Sequence, residues 1–198
     1  EQYPQYFRVF AEEDDDGEMA VQNQQTSLLE TNARPQILQE GHFVYQENQR
    51  GVTFDTLFGP YIKGAQTVTI TDAYIRLFFQ IRNLMELIET ILRNKAEEEE
   101  VAVHLVTAQD EFNSDTQVEH LEKIKENAAP GGIHFSWEFV DSKTIHARHI
   151  VTDTGWKILL DRGLDIFQRY EMNDAFALGN RLQQYRPVKA FEVTYVKQ

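Results

Sequence analysis

Residues 66–108 hold two strand-like runs separated by one long helical stripe, and that succession limits the possible folds more than any other feature. Gln66 to Thr71 (QTVTIT) alternates and is rich in β-branched residues, so it reads as a strand that stops at Asp72. From Tyr74 to Asn94, Leu77, Ile81, Leu84, Ile88 and Ile91 recur at helical spacing, and Phe78, Met85 and Leu92 widen the stripe. Val101 to Ala108 (VAVHLVTA) is then mostly apolar, as expected of a strand covered on both faces. A stripe this wide must be buried under a sheet or in an interface between copies.

The flanking sequence extends the same pattern. Phe54, Leu57, Phe58 and Tyr61 sit at helical spacing in a short helix interrupted at Gly59-Pro60. Thr116 to Asn127 reads as a charged helix with Val118, Leu121 and Ile124 inward, ended by Pro130-Gly131-Gly132. Ile133 to Val140, Thr144 to Thr152, Trp156 to Leu160 and Ala190 to Lys197 read as further strands. The expected fold is α/β, a mixed β-sheet flanked by helices and antiparallel in its C-terminal part.

Texture and charge divide the chain into an acidic lead-in, residues 1–50, and a globular domain, residues 51–198. The lead-in holds ten acidic and three basic residues, which is −7 of the net −13. The run from Glu12 to Glu18 and the following VQNQQTSLLETN have too little apolar surface to offset their ordering entropy, so they read as a solvated connector. Asp14, Asp15 and Asp16 are adjacent where a calcium loop needs alternating ligands, which excludes that alternative.

Charge and composition also exclude classes of function. An acidic chain lacks the footprint for unspecific adhesion to nucleic acid or anionic lipid, although a local basic pocket can still hold a phosphate. With no cysteine there is neither a disulfide framework nor a Cys-based zinc site, and a cytoplasmic location is expected. No apolar run is long enough to span a bilayer and the opening has no signal-peptide pattern. A start at Glu1 suggests a piece of a longer protein. His104, in an apolar strand, reads as a packed or hydrogen-bonded core histidine, while His42, His120 and His134 are too scattered for a metal site, and neither metal nor cofactor is expected. Gly131-Gly132 lacks the rest of a phosphate loop and is read as a turn.

Chemistry concentrates in IHARHIVTDTGW, residues 145–156. On a strand, His146 and Arg148 project to one face while His149 projects to the other. One is a proton carrier or nucleophile, the other a permanent planar cation suited to phosphate. The spacing His146-x-Arg148-x4-Asp153 is that of the phospholipase D motif His-x-Lys-x4-Asp, with Arg148 at the Lys position. An ion pair or cap among these residues is the plain alternative.

Several separated segments then agree in order. TFDTLFGPYI, TITDAYIRLFFQIRNLMELIETI, VAVHLVTAQDE, IHARHI and TGWKILLDRGLDIFQ resemble consecutive blocks of the phospholipase-D-like domain at the C-terminus of MIT-domain proteins. The chain is also similar to the C-terminal region of Lon-like AAA+ ATPases of bacterial BREX phage-defence systems, chiefly through RNLMELIETI and DRGLDIFQ. Asp72, Tyr74 and Arg76 fall on the resemblance's Asp-x-Tyr-Ile-Arg motif, with Ala73 where Pro is expected. Trp156, Arg162, Gly163, Asp165 and Phe167 fall on its last block.

The resemblance implies a non-catalytic recognition and oligomerisation domain, a homo-oligomer, in which Arg76, His146, Arg148 and Arg162 hold a phosphate-bearing ligand. DNA contact would come only through other parts of the parent. Its eukaryotic members imply a phosphoinositide- or membrane-binding alternative. A phosphodiesterase or nuclease of this type needs two such motifs facing each other, so catalysis by His146, Arg148 and Asp153 would require a symmetric dimer. No Walker motif or Ser-Lys dyad is present in these residues.

Overall fold

Seven strands form one mixed sheet in the order β1-β7-β6-β5-β2-β3-β4. They belong to a computed structural model that describes residues 38–198. The strands are β1 (Gly41–Tyr45), β2 (Thr67–Thr71), β3 (Val101–Ala108), β4 (Ile133–Val140), β5 (His149–Thr152), β6 (Trp156–Leu160) and β7 (Phe191–Lys197). The helices are α1 (Phe54–Leu57), α2 (Gly59–Ile62), α3 (Phe78–Asn94), α4 (Ser114–Ala128) and α5 (Leu178–Arg181). Strands β2, β3 and β4 run parallel, and β5, β6, β7 and β1 continue the sheet antiparallel. The mixed α/β architecture expected from the sequence is the one observed.

One face of the sheet is covered and the other is open. In register, Val68, Val103 and Phe135 are neighbours, as are Ile70, Ile150, Ile158 and Tyr195, and all are buried. Ile81, Leu84, Leu87, Ile88 and Ile91 of α3 join this core with Leu121 and Ile124 of α4. The alternate residues face solvent: Ala102 of β3 is exposed and His104 and Val106 are half-buried. β3 is therefore covered on one face, contrary to the expectation from its apolar run. Small and weakly polar side chains on its open face hide the alternation.

Other expectations need correction. Helix α3 starts at Phe78, not Tyr74, because polar side chains organise residues 72–77 into a turn. Asp72 Oδ1 accepts the Tyr74 amide at 2.9 Å, and Gln80 Oε1 accepts the amides of Arg76 and Leu77 at 3.2 and 2.9 Å. Leu77, Phe78 and Leu92, read as part of the inward stripe, are exposed. The segment Thr144–Thr152 is strand only from His149 onward, since Asp141 and Thr144 close a turn and residues 145–148 are irregular. His104 is not a core histidine. It lies on the open face, with Nδ1 2.9 Å from Ser136 Oγ.

The sheet also begins before the expected boundary at 51. His42 pairs with Thr194 and Val44 with Glu192, so β1 extends the sheet at its β7 edge from within the acidic segment. Tyr45 stacks on Phe191 at 4.5 Å between centroids, which anchors it. The reading of Glu12 to Glu18 falls outside the described residues. Among the described residues, no helix is long and apolar enough to cross a membrane.

Candidate functional site

The carboxyl end of β2 carries the cluster of motif residues. Parallel strands leave a crevice beyond their carboxyl ends, and here the sheet also switches from parallel β2 to antiparallel β5. The register places Thr71 opposite His149, so Asp72 and Arg148 follow and precede paired positions at one end of the sheet. Arg148 Nε lies 4.0 Å from Asp72 Oδ1, and the carboxylate is almost fully buried.

Asp72 organises the turn around it. Its Oδ2 accepts the Leu164 amide at 3.4 Å while Asn83 Nδ2 donates to the Leu164 carbonyl at 3.1 Å. The Leu164 backbone is thus held through both its N–H and its C=O by two buried polar side chains. Gly163 makes this approach possible: its φ is +59°, and a Cβ there would overlap Asp72 Oδ2. Burial pushes the Asp72 carboxyl up, against the lowering influence of the Tyr74 amide, Arg148 and the Leu164 amide.

Arg148 is held on three sides. Its Nη1 donates to the Asp161 carbonyl at 2.6 Å, its Nε faces Asp72, and its guanidinium stacks 4.3 Å from the Tyr74 ring centroid. Arg76 approaches the same ring at 5.4 Å. Arg162 Nε donates to the Ala190 carbonyl at 2.6 Å, and both its Nη groups are without a partner among the described residues. Arg148 and Arg162 share a cavity of about 190 Å³ with Asp72, Tyr74, Gln80 and Asp165. Asp165 is neutralised by Lys189 at 2.7 Å. The result is a small polar recess with two guanidinium groups whose spare N–H donors suit a tetrahedral oxyanion.

Not every motif residue joins it. His146 is exposed in the irregular segment before β5, does not line the cavity, and makes no side-chain hydrogen bond among the described residues. Because that segment is not a strand, the shared face expected for His146 and Arg148 is not formed. Asp153 lies past the far end of β5, five residues or about 16 Å of extended chain from Arg148. Both its carboxylate oxygens accept the Gln66 amide, at 3.1 and 3.2 Å, so it caps the start of β2. Trp156 is a core residue set edge-on against Tyr61 at 5.0 Å.

Sequence reasoning missed Asn83, Asp161 and Gln80. Asn83 sits next to Leu84 on the inward side of α3, and a polar residue there was the available signal. Asp161 serves through its backbone carbonyl, which no sequence pattern reveals.

A family model for the phospholipase D-like domain at the C-terminus of MIT matches residues 51–197. The chain belongs to this family. The phospholipase-D-like domain accounts for most of the chain, from just before α1 to the end of β7, and β1 lies outside the match. The chain is 31% identical over 144 residues to MIT domain-containing protein 1 of Mus musculus. The match covers 72% of this chain and 55% of the mouse protein, so the chain spans about half the length of that relative.

Proposed function

We propose that this phospholipase-D-like domain is a non-catalytic recognition module that holds a phosphate or comparable anionic group on Arg148 and Arg162. The observation that carries the reading is the shared recess in which both guanidinium groups keep N–H donors unpaired among the described residues, Arg148 over the Tyr74 ring. Binding needs preset cations, and Arg148 is preset by Asp72, Tyr74 and Asp161. Catalysis by covalent transfer needs a nucleophile aligned with a base and an orienting group. His146 is exposed and makes no side-chain hydrogen bond or ion pair among the described residues.

Within this reading the domain serves a homo-oligomeric parent, and the resemblance of RNLMELIETI and DRGLDIFQ points to a Lon-like AAA+ ATPase of a BREX phage-defence system. The parent's ATPase parts would supply assembly and any contact with DNA. A phosphodiesterase assay on bis(4-nitrophenyl) phosphate, with wild type and His146→Ala, tests the non-catalytic claim. The expected result is no turnover by either; turnover that disappears with His146 contradicts it.

A second reading has one observation in its favour. Leu77 and Phe78, which follow Arg76 in the chain, are exposed, as is Phe112, and exposed apolar side chains of this kind can enter a lipid headgroup layer. The net charge of −13 opposes it. Flotation with phosphoinositide-containing liposomes, comparing wild type with Phe112→Ser, separates the two readings.

A further inference from the structure

Beside the phosphate recess lies a second and larger cavity, of about 640 Å³. It opens between the first turns of α3 and the segment following β6. Its apolar lining comes from the rings of Phe79, Phe167 and Tyr170 together with Met172. Its volume falls in the range that holds a small organic molecule.

Two features connect it to the recess. Asp165 is a wall of both cavities. The Leu164 backbone links them, its N–H held by Asp72 of the recess and its C=O by Asn83, which lines the larger cavity.

The polar groups of the larger cavity are not those of a lipid site. Asn83 is buried and its amide oxygen has no hydrogen-bond partner among the described residues. The Tyr170 hydroxyl is likewise buried and unpartnered. An acceptor and a hydroxyl set among aromatic rings match a planar heteroaromatic body whose edge carries both donors and acceptors. An acyl chain would leave them unpaired. An inositol ring would leave the aromatic walls without a flat partner.

We infer that the phosphate recess and the aromatic cavity form one site for a phosphate monoester with a planar heteroaromatic body, a nucleoside monophosphate. The phosphate sits on Arg148 and Arg162, and the base lies against Phe79 and Tyr170. This inference rests on the phosphate-binding reading above and adds to it the identity of the remainder of the ligand.

Calorimetric titration of the 198-residue chain with inorganic phosphate, adenosine and adenosine monophosphate tests it. The monophosphate is expected to bind at least about tenfold more tightly than inorganic phosphate, the gain of one stacked base. Phe79→Ala, a change at a half-buried ring, removes that gain and leaves the affinity for inorganic phosphate unchanged. On wild-type protein, intermolecular NOEs from the adenine protons to the aromatic ring protons of Phe79 or Tyr170 report the same contact without any substitution. Inorganic phosphate that binds, with no gain for the monophosphate or no NOE to these rings, overturns the inference and leaves the recognition reading standing. Failure of both phosphate and monophosphate to bind overturns both.

Discussion

The guanidinium of Arg148 lies over the face of Tyr74, 4.3 Å from the ring centroid. A planar cation stacked on a ring and tied to the Asp161 carbonyl keeps a fixed orientation, so little freedom is lost when an oxyanion arrives. Arg148→Lys keeps the charge but loses the stack and the fork, and should weaken inorganic phosphate binding by about tenfold. Tyr74→Phe should bind like wild type, because the ring face remains, whereas Tyr74→Ala should weaken binding by about fivefold. Isothermal titration calorimetry reads all three.

Gly163→Ala should be among the most damaging single substitutions. Its φ of +59° disfavours any side chain, and the new methyl would strike the buried Asp72 carboxylate, which cannot step aside. Strain and overpacking together should cost about 3 kcal/mol, visible as a lowered urea midpoint with an unchanged slope.

How much of this was readable in the sequence varies by element. Period and β-branched content located β2, β3, β4, β6 and β7 because each buries one face in a continuous core. β1 escaped because its short run GHFVY is embedded in acidic sequence and is held by pairing with β7, a contact distant along the chain. The start of α3 escaped because Asp72 and Gln80 side chains take the amides that a helix turn would have used. Around the recess, the His-x-Arg spacing drew attention to Arg148, and Asp72 came only through the resemblance's Asp-x-Tyr-Ile-Arg motif. Linear spacing placed His146 and Asp153 with them, whereas the irregular segment before β5 and the length of β5 keep them apart.

Glu86 and Arg186 form a bidentate pair at 2.6 and 2.8 Å, with Arg186 nearly fully buried and stacked 4.4 Å from the Tyr170 ring. Glu86→Ala strands the guanidinium and should cost about 3–5 kcal/mol in chemical denaturation. The double variant Glu86→Ala, Arg186→Met should recover much of that loss, since no buried charge is then left unpaired.

A buried carboxyl and a half-buried imidazole give the stability curve opposite slopes. Asp72 is raised by burial, so between its folded value and the ordinary carboxylate value near 3.9 the folded state holds more protons than the unfolded one. Its contribution is complete below the ordinary value and is lost as pH rises through the raised one. Relative to Asp72→Asn, wild type should gain stability as pH falls from 7 to about 4. His149 is lowered by burial and by Lys157, so its contribution is present above about 6.5 and is lost as pH falls through the lower value. His149→Leu should therefore flatten the fall in stability below that pH. Urea titrations across the pH range compare the variants with wild type.

The central claim is that two arginines, and not the histidine of the motif, hold the anion. Calorimetric titration of inorganic phosphate into wild type, Arg162→Ala and His146→Ala tests it most directly. Arg162 hangs from the Ala190 carbonyl by one bond and is largely exposed, so its loss leaves the fold intact. The predicted result is binding reduced by about tenfold or more in Arg162→Ala and unchanged in His146→Ala. Binding that survives without Arg162 but is lost without His146 would contradict the account.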